Sequence, residues 1–171
     1  MNDDLRLRPV RVENEPVALS GQEAMEPEGF SFLLGRDASA PWSQYVQTLK
    51  DRRCGINVVD GWVPSTFLFA VVGEQVVGRV SIRHELNEHL STVGGHIGFG
   101  VLPQFRRRGY ATEIFRQALV IARSLGIDRV LVTCDDDNVA SAKTIDRCGG
   151  VFETTVFNDH EGVTKRRYWI D

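Results

Sequence analysis

The hydrophobic pattern at the start of the chain predicts one strand followed by two helices. Residues 5–10 alternate apolar and charged side chains, as a half-buried strand does. Residues 14–25 favour a short helix, and residues 30–41 have the glycine, serine and proline content of a loop. Ser43 is then a candidate N-cap for a second helix that ends near Arg53.

A β-hairpin is predicted next, over residues 66–84. Its first arm is β-branched and aromatic, residues 73–75 have turn chemistry, and the second arm resumes a strand pattern. Alternation along the second arm places three apolar residues on one face, namely Val76, Val80 and Ile82. The opposite face carries three polar residues, namely Arg79, Ser81 and Arg83. We expect this polar face to be wet or to line a cleft.

The second half of the chain predicts a strand, a helix and a second strand. The strand at residues 96–101 contains Gly98 and Gly100, and interior glycines often mark a bulge or the close approach of a ligand or of another backbone. Apolar residues then recur at helical spacing from Gly109 onward, and Gly126 fits the C-terminal cap. A short buried strand follows at residues 130–134. A crossover connection of this kind makes the two strands parallel.

The last elements predicted are a capped helix and a closing hairpin. Asn138 is expected to cap a helix that runs to about Arg147 and ends at a pair of glycines. The hairpin has arms at residues 152–157 and 163–170, joined by a polar turn.

Composition predicts a soluble globular chain. The 171 residues are 42% hydrophobic and 25% charged, and a chain of this length buries about 70% of its unfolded surface without a metal or disulfide. No repeat or composition break is found, so residues 1–171 are expected to form a single domain. No stretch approaches the roughly 18 apolar residues of a membrane span, and residues 1–10 lack the apolar region of a signal peptide.

The cysteines indicate the cellular compartment, and the net charge limits the partners that the whole chain could attract. Cys54, Cys134 and Cys148 are far apart and odd in number, which argues against a disulfide framework and favours a cytoplasmic protein. The formal net charge of −3 gives no overall attraction for DNA or an anionic membrane. Recognition of an anion must therefore come from a local patch.

Such a patch lies between the predicted strand 96–101 and the helix that follows it. Arg106, Arg107 and Arg108 precede Gly109, Tyr110 and Ala111. A helix N-terminus offers unpaired N–H donors and a positive dipole, and the small residues let a phosphate approach the backbone. The segment matches neither the Walker A loop nor the dinucleotide-binding fingerprint. A solvated basic turn is the alternative when the arginine run is considered alone.

The residues of this segment resemble the GNAT superfamily of N-acetyltransferases. The acyl-CoA-binding motif of that family is [Gln/Arg]-x-x-Gly-x-[Gly/Ala], and Arg106, Gly109 and Ala111 fill its defined positions. The preceding strand and the later helix that begins at Asn138 also match, and the resemblance covers about residues 66–170. It implies an α+β fold, with a twisted mixed sheet whose two central parallel strands splay apart between flanking helices.

The resemblance also implies a cofactor site and an activity, with acetyl-CoA as co-substrate and no metal. Its pyrophosphate would rest on the backbone from Arg106 to Ala111, Arg107 or Arg108 would meet the 3′-phosphate, and Tyr110 would lie beside it. The backbone of Phe99 and Val101 would pair with the pantetheine arm, and the Val101 N–H would polarise the thioester carbonyl. Asn138 and Ser141 would border the same arm; Ser141, where alanine is commoner, is shared with acetyltransferases of ribosomal-protein N-termini.

Transfer to an amine requires two proton movements: a base or a desolvating pocket frees the lone pair of the amine, and the departing thiolate takes up a proton. The candidate bases are Glu85, His84 and His96, with Glu85 preferred because bases in the superfamily are usually glutamates that act through water. Many members use a tyrosine as the acid, but the matching position here is Ile145. Tyr110 or Tyr168 could replace it, or the thiolate could leave without an acid.

Three other chemistries fit the sequence less well. The two histidines of His84-Glu85-Leu-Asn-Glu88-His89 are five residues apart, which does not fit the zinc-protease motif. Cys134 could carry the acyl group, but a cysteine in a buried strand is usually a small hydrophobic residue. No aromatic platform accompanies the arginines, so nucleic-acid binding is not expected.

The sequence leaves two functions open. The first is an N-acetyltransferase that acts on a primary amine of a small molecule or peptide, and the second is a non-catalytic acyl-CoA sensor. The expected partners are acetyl-CoA, an amine acceptor that the sequence does not identify and, in a homodimer, a second copy of the chain. Neither a nucleic acid nor a membrane is expected as a partner.

Overall fold

The computed structural model describes residues 4–171, in which two antiparallel β-sheets are flanked by four α-helices. The strands are β1 (Leu5–Pro9), β2 (Ser65–Val72), β3 (Gln75–Arg83), β4 (Ile97–Val101), β5 (Val130–Asp135), β6 (Val151–Asn158) and β7 (Val163–Ile170). The helices are α1 (Glu15–Met25), α2 (Trp42–Arg53), α3 (Tyr110–Ser124) and α4 (Val139–Arg147). Short 3₁₀ turns lie at Val12–Asn14, Glu26–Glu28 and Pro103–Phe105, and a π-helical turn lies at Leu90–Gly94. Residues 1–3 of the predicted leaderless N-terminus lie outside the described residues.

The two sheets meet at strands β4 and β5. The first sheet has the order β1-β2-β3-β4 and the second has the order β5-β7-β6, with antiparallel neighbours throughout. At the start of β4 the His96 N–H donates to the Leu131 carbonyl oxygen at 2.7 Å. No ladder between β4 and β5 follows within residues 4–171. The gap between these two strands agrees with the predicted splay.

Helices cover both faces of the first sheet. On one face, Val80 and Ile82 of β3 pack with Ile114 and Phe115 of α3 in a core that extends to the second sheet. On the other face, Phe67, Phe69 and Val71 of β2 pack with residues of α1 and α2. The chain before β2 therefore contributes a helical layer that closes the sheet on the side opposite α3.

The ends of α3 and α4 confirm the predicted glycine caps. Gly126 follows α3 with φ +83°, and the Ile127 N–H donates to the Ala122 carbonyl oxygen at 3.0 Å. Gly149 follows α4 with φ +91°, and the Gly150 N–H donates to the Ile145 carbonyl oxygen at 2.9 Å. Both are Schellman motifs, in which a glycine takes the left-handed conformation.

The structure corrects the predicted faces of strand β3. Ala70 pairs with Gly78 and Val71 pairs with Val76, so Val77 forms a β-bulge that reverses the alternation. Val76 therefore faces the core of α1 and α2, whereas Val80 faces the core of α3. For the polar face, which was expected to be wet or to line a cleft, the first alternative is excluded, because Arg79 and Ser81 are each only 3% exposed beneath the helical layer.

The start of α2 also differs from the prediction. The helix begins at Trp42, directly after Pro41, and no side chain caps its first turn. The Gln44 N–H donates to the Pro41 carbonyl oxygen at 3.0 Å. Ser43 is the second residue of the helix, so it does not act as the N-cap.

Candidate active site

A cavity of about 730 Å³ opens beside the end of strand β4. Its walls come from β4, from the turn and first residues of α3, from the first two turns of α4 and from the segment after α1. Of the predicted cofactor-binding residues it is lined by Phe99, Val101, Arg106, Arg107, Gly109, Tyr110, Ala111, Asn138 and Ser141. The fold thus brings together residues that are up to 42 positions apart in the sequence.

Strand β4 presents an unpaired backbone edge to the gap between the sheets. The Leu102 N–H donates to the Val77 carbonyl oxygen on the β3 side at 2.9 Å. Because alternate residues of an antiparallel strand face the partner strand, the backbone N–H and C=O groups of Phe99 and Val101 point away from β3. The Val101 carbonyl oxygen already accepts from Arg106 Nε at 3.1 Å. The Val101 N–H remains as a donor at the cavity.

The turn between β4 and α3 forms a cradle of backbone N–H groups. Arg107 has φ +61° and Gly109 has φ +79°, so two residues of this short turn adopt the left-handed conformation. The first bond of α3 runs from the Glu113 N–H to the Gly109 carbonyl oxygen at 3.3 Å. The preceding N–H groups have no partner within the helix, and with the helix dipole they can hold a phosphate.

The Arg106 side chain fixes this turn to the segment after α1. Its two terminal nitrogens lie 2.7 and 2.6 Å from the carboxylate oxygens of Glu28. This bidentate hydrogen bond lowers the pKa of Glu28 below its ordinary value. The Arg106 charge is therefore already paired, and its contribution to anion binding comes from the position it gives to the turn.

Arg107 and Arg108, the other two arginines of the run, differ in their position relative to the cavity. Arg107 is exposed and lines the cavity. Arg108 is exposed as well, but its guanidinium lies over the Phe105 ring at 5.6 Å, and its Nη2 donates to the Gln104 carbonyl oxygen. Arg108 is not among the residues that line the cavity.

Helix α4 supplies the opposite wall. The Asn138 side chain accepts a hydrogen bond from the Ser141 N–H at 3.1 Å, which confirms the predicted cap. Lys143 and Arg147 also line the cavity and are exposed, although the sequence reasoning did not select them. Their i, i+4 spacing on a helix that faces the motif was the available signal. Ile145 lies on the other side of α4 and is fully buried in the core.

The wall that comes from the N-terminal part of the chain was also missed. Met25, Glu28 and Phe30 line the cavity from the end of α1 and the segment after it. The ring of Phe30 covers Gly100, where a β-carbon would lie 2.6 Å from its nearest ring atom. No local pattern marks these residues, because the contact joins positions about 70 residues apart.

The candidate bases lie outside the residues that line the cavity. Glu85 is exposed in the bend directly after β3. His84, its neighbour, has its Nε2 2.8 Å from the Thr66 hydroxyl. Burial and, to a smaller extent, the Arg53 charge lower the pKa of His84, while the Glu85 carboxylate acts in the opposite direction.

His96 lies at the junction of the two sheets. It is 7% exposed, and its Nδ1 accepts a hydrogen bond from the Leu131 N–H at 2.9 Å. Burial and then the Arg83 charge lower its pKa. A neutral imidazole that accepts at Nδ1 carries its proton on Nε2, so this arrangement leaves no free lone pair on the ring.

The candidate acids and the candidate nucleophile differ in access. Tyr110 is the first residue of α3 and lines the cavity. Tyr168 is buried in β7, with its ring edge-on to Phe152 at 5.7 Å. Cys134 is 8% exposed, and burial raises the pKa of its thiol to about 11. A thiol with that pKa is protonated at neutral pH, which is unfavourable for a nucleophile.

The described residues contain neither a group of side chains arranged to hold a metal ion nor a helix that could span a membrane. Among residues 4–171, no group of three or more histidine, cysteine, aspartate or glutamate side chains is placed to hold a metal ion. Across the same residues, every helix is too short or too polar to cross a membrane.

The cavity, the cradle and the free strand edge define a site for a phosphate-bearing cofactor with an extended polar arm. The family comparison agrees: residues 4–151 match the acetyltransferase (GNAT) domain. The chain therefore belongs to the GNAT family, as the motif around Gly109 predicted.

Individual relatives are distant in sequence. N-alpha-acetyltransferase 30 of Xenopus laevis is 24% identical over 156 residues, which are 91% of this chain and 50% of that protein. The chain thus spans about half the length of this curated relative.

Two solved structures confirm the GNAT-like α+β fold. RimJ of Mycobacterium smegmatis, in complex with CoA-disulfide, has a TM-score of 0.74 at 17% identity, covering 97% of this chain and 81% of that one. The microcin C7 self-immunity acetyltransferase MccE, in complex with acetyl-CoA and AMP, has a TM-score of 0.66 at 18% identity, covering 98% and 92%.

Proposed function

We propose that this chain is an acetyl-CoA-dependent N-acetyltransferase that acts on a primary amine of a small molecule or peptide. The observation that carries the proposal is the free Val101 N–H beside a phosphate cradle in one cavity. Acetyl-CoA needs both features, because its pyrophosphate binds the cradle while its thioester lies near the strand edge. We further propose that residues 1–171 form one acyltransferase domain and that the protein is cytoplasmic.

The cofactor binds with its phosphates at the start of α3. The backbone of residues 106–111 holds the pyrophosphate, with Tyr110 beside it. The 3′-phosphate meets Arg107, and the exposed Lys143 and Arg147 add positive charge on the facing wall. The pantetheine arm extends along Phe99 and Val101 and is bordered by Asn138 and Ser141. Arg108 is a less favourable partner, because its guanidinium lies over Phe105.

The reaction is a direct transfer within a ternary complex. The acceptor ammonium loses a proton, and its nitrogen forms a bond to the thioester carbonyl carbon. The Val101 N–H stabilises the negative charge that develops on the carbonyl oxygen. The nitrogen loses a second proton to solvent, the carbon–sulfur bond breaks to give the amide, and the CoA thiolate takes a proton from Tyr110 or from solvent. The raised pKa of Cys134 favours this route over an acyl-enzyme.

We propose Glu85 as the base, acting through water. His96 is the less favourable candidate, because its Nδ1 is bonded to the Leu131 N–H and burial lowers its pKa. Glu85→Gln should lower kcat by about 100-fold, as expected for loss of a general base, and should leave the affinity for acetyl-CoA unchanged. Glu88→Gln is the matched control, since Glu88 is an exposed glutamate of the same loop. Equal rates for the two variants would exclude Glu85.

The activity itself is tested by thiol release from acetyl-CoA across a panel of amines and peptides. We expect saturable release that depends on the acceptor, together with acetyl-CoA binding measured by calorimetry. The alternative function, an acyl-CoA sensor, is favoured by the buried Ile145 at the position of the usual tyrosine acid. Tight binding without release for any acceptor would support the sensor, and absence of binding would contradict both functions.

A further inference from the structure

A buried guanidinium lies on the polar face of β3, which the sequence pattern predicted to be wet or to line a cleft. Arg79 is 3% exposed, and its two terminal nitrogens donate to the carbonyl oxygens of Ser31 at 2.5 Å and Gly98 at 3.3 Å. Its Nε is buried and has no hydrogen-bond partner in the structure. The guanidinium carbon lies 4.3 Å from the centre of the Phe30 ring.

A second arginine adds to this positive charge. Arg83 is partly buried, and its Nη1 lies 3.4 Å from the carbonyl oxygens of Gly94 and Gly95. No carboxylate among residues 4–171 forms an ion pair with Arg79 or Arg83. The Tyr45 hydroxyl is the titratable group whose ionised form would compensate the Arg79 charge. Burial raises the pKa of this hydroxyl, so it stays neutral and supplies no compensating charge.

The guanidinium groups of Arg79 and Arg83 both lie close to Gly98 of β4. A β-carbon at Gly98 would lie 3.5 Å from Arg83 Nη1 and 3.9 Å from Arg79 Nη1. These are ordinary van der Waals contact distances, so both guanidinium groups border the position that a side chain at Gly98 would occupy. Strands rise about 3.3 Å per residue, which puts Gly98 about 10 Å from Val101 along β4.

This place adjoins the cofactor cavity. The Phe30 ring lines the cavity on one side and lies against the Arg79 guanidinium on the other. Arg79 is buried and Arg83 is partly buried, and positive charges so placed without a carboxylate are unfavourable unless an anion compensates them. The segment between α1 and α2 packs here through Phe30 and Ser31, whereas the cradle is formed by a different part of the chain, the turn before α3.

We propose that the acceptor carries an anionic group, a carboxylate or a phosphate, which Arg79 and Arg83 bind beside Gly98. The proposal rests on the proposed transfer reaction and names its acceptor class: an amine with an anion within about 10 Å of the nitrogen, given the rise along β4. Guanidinium groups suit both anions, because they donate two parallel hydrogen bonds to either.

Paired acceptors test this class directly. Amino acids are compared with their amides, and O-phosphoethanolamine is compared with ethanolamine, by thiol release from acetyl-CoA. We expect kcat/KM to favour one anionic member by about tenfold or more, as for a charge-assisted bond, and the preferred pair distinguishes carboxylate from phosphate. Arg83→Gln should remove this preference, while Arg6→Gln, an exposed arginine of β1, should keep it. Equal use of charged and neutral members by the wild type would overturn the proposal.

A second test needs no turnover. The protein is saturated with CoA, so that the cradle is occupied, and Tm is measured in sodium phosphate and in sodium chloride of equal ionic strength. We expect phosphate to raise Tm in the wild type and in Arg6→Gln but not in Arg83→Gln. The same shift in all three proteins, or none in the wild type, would contradict the anion site.

A third test compares the melting temperatures of the Gly98→Asp and Gly98→Asn variants. The aspartate places a carboxylate between the two guanidinium groups, so its Tm should exceed that of the asparagine variant, and added phosphate should no longer raise it. An aspartate variant less stable than the asparagine variant would show that no surplus of positive charge exists there. These melts use CoA-bound protein without an acceptor, so they can support the anion site even if no amine is acetylated. The proposed acetyltransferase activity and the proposed anion site can therefore fail separately.

Discussion

The Arg106 side chain joins three parts of the chain at the candidate active site. It donates to the Val101 carbonyl oxygen of β4, it pairs with Glu28 after α1, and its backbone begins the turn that leads to α3. The Arg106 and Glu28 side chains are 41% and 45% exposed, so solvent screens the ion pair. Its value is the position it gives to the turn, since exposed pairs contribute only about 0.2–1 kcal/mol.

The Glu28 pair makes stability depend on pH in the acidic range. The Arg106 hydrogen bond lowers the pKa of Glu28 from 4.5 in the folded state. The contribution is therefore present above the ordinary value and is lost as pH falls through the lowered pKa. We expect Glu28→Gln to reduce the free energy of unfolding by less than about 1 kcal/mol at pH 7. The difference from wild type should vanish toward pH 3.

Urea unfolding of both proteins between pH 7 and pH 3 measures this difference. Glu26→Gln serves as control, because Glu26 is an exposed glutamate of the same turn. A difference that stays constant with pH would contradict a role for the ionised Glu28.

At the scale of elements, the N-termini of α3 and α4 face the same cavity but are built differently. Gly109 begins α3 in the left-handed conformation and leaves the first N–H groups free, whereas Asn138 begins α4 and satisfies the Ser141 N–H with its side chain. The α3 terminus is therefore open to an anion, and the α4 terminus is closed by its own cap. This difference supports the proposal that the phosphates of the cofactor bind at α3.

Two glycine substitutions separate the conformational role from the binding role. Gly109→Ala and Gly126→Ala both place a β-carbon at positive φ, at the start and after the end of α3. Each should destabilise the fold by about 1–2 kcal/mol. Only Gly109→Ala should also weaken acetyl-CoA binding, by roughly tenfold, because the phosphate approaches that backbone closely. Calorimetric titration and thermal melts measure the two effects, and equal binding by both variants would count against the cradle.

The cap of α4 allows a similar separation. Asn138→Ala should cost about 1 kcal/mol of stability through loss of the cap. Asn138→Asp keeps an oxygen for the Ser141 N–H and should retain the wild-type Tm. Its negative charge should nevertheless weaken acetyl-CoA binding if Asn138 borders the cofactor, as proposed. Unchanged affinity in the aspartate variant would limit Asn138 to capping.

At the scale of the whole molecule, His96 links the two sheets where β4 and β5 begin to separate. Its backbone N–H and its ring Nδ1 both bond to Leu131. The ring acts here as a hydrogen-bond acceptor between two strands, in a buried place where its charged form is unfavourable. The junction should therefore respond to pH.

The expected response has a definite sign. Burial lowers the folded-state pKa of His96 below 6.5, so the unfolded chain binds more protons as pH falls. Stability is complete above about pH 6.5 and decreases as pH falls toward the lowered pKa. His96→Asn keeps an acceptor without titrating, and its Tm should fall less steeply than that of the wild type between pH 7 and pH 5. His160→Asn, at an exposed site, should leave the slope unchanged.

The order of elements could be predicted well from the sequence, and the exceptions have physical causes. The hairpin, α3, the capped α4 and the closing hairpin follow from periodicity and from end signals such as Asn138 and Gly126. The faces of strand β3 differ from the prediction because the bulge at Val77 reverses the alternation, and the neighbouring Gly78 is the one local sign of it. The burial of Arg79 depends on helices that pack over β3 from a distant part of the chain.

The turn that we propose as the phosphate cradle was predictable from local sequence, because a helix start preceded by Arg106 and containing Gly109 has its donors and charges within a few residues. The sequence also determined which strand precedes the cradle and which helix faces it. Three features became visible in the folded chain alone: Arg106 pairs with Glu28, Phe30 lines the cavity, and Arg79 is buried without a carboxylate. These contacts join segments separated by about 50 to 80 positions, and their energies depend on burial and distance, which a linear pattern does not contain.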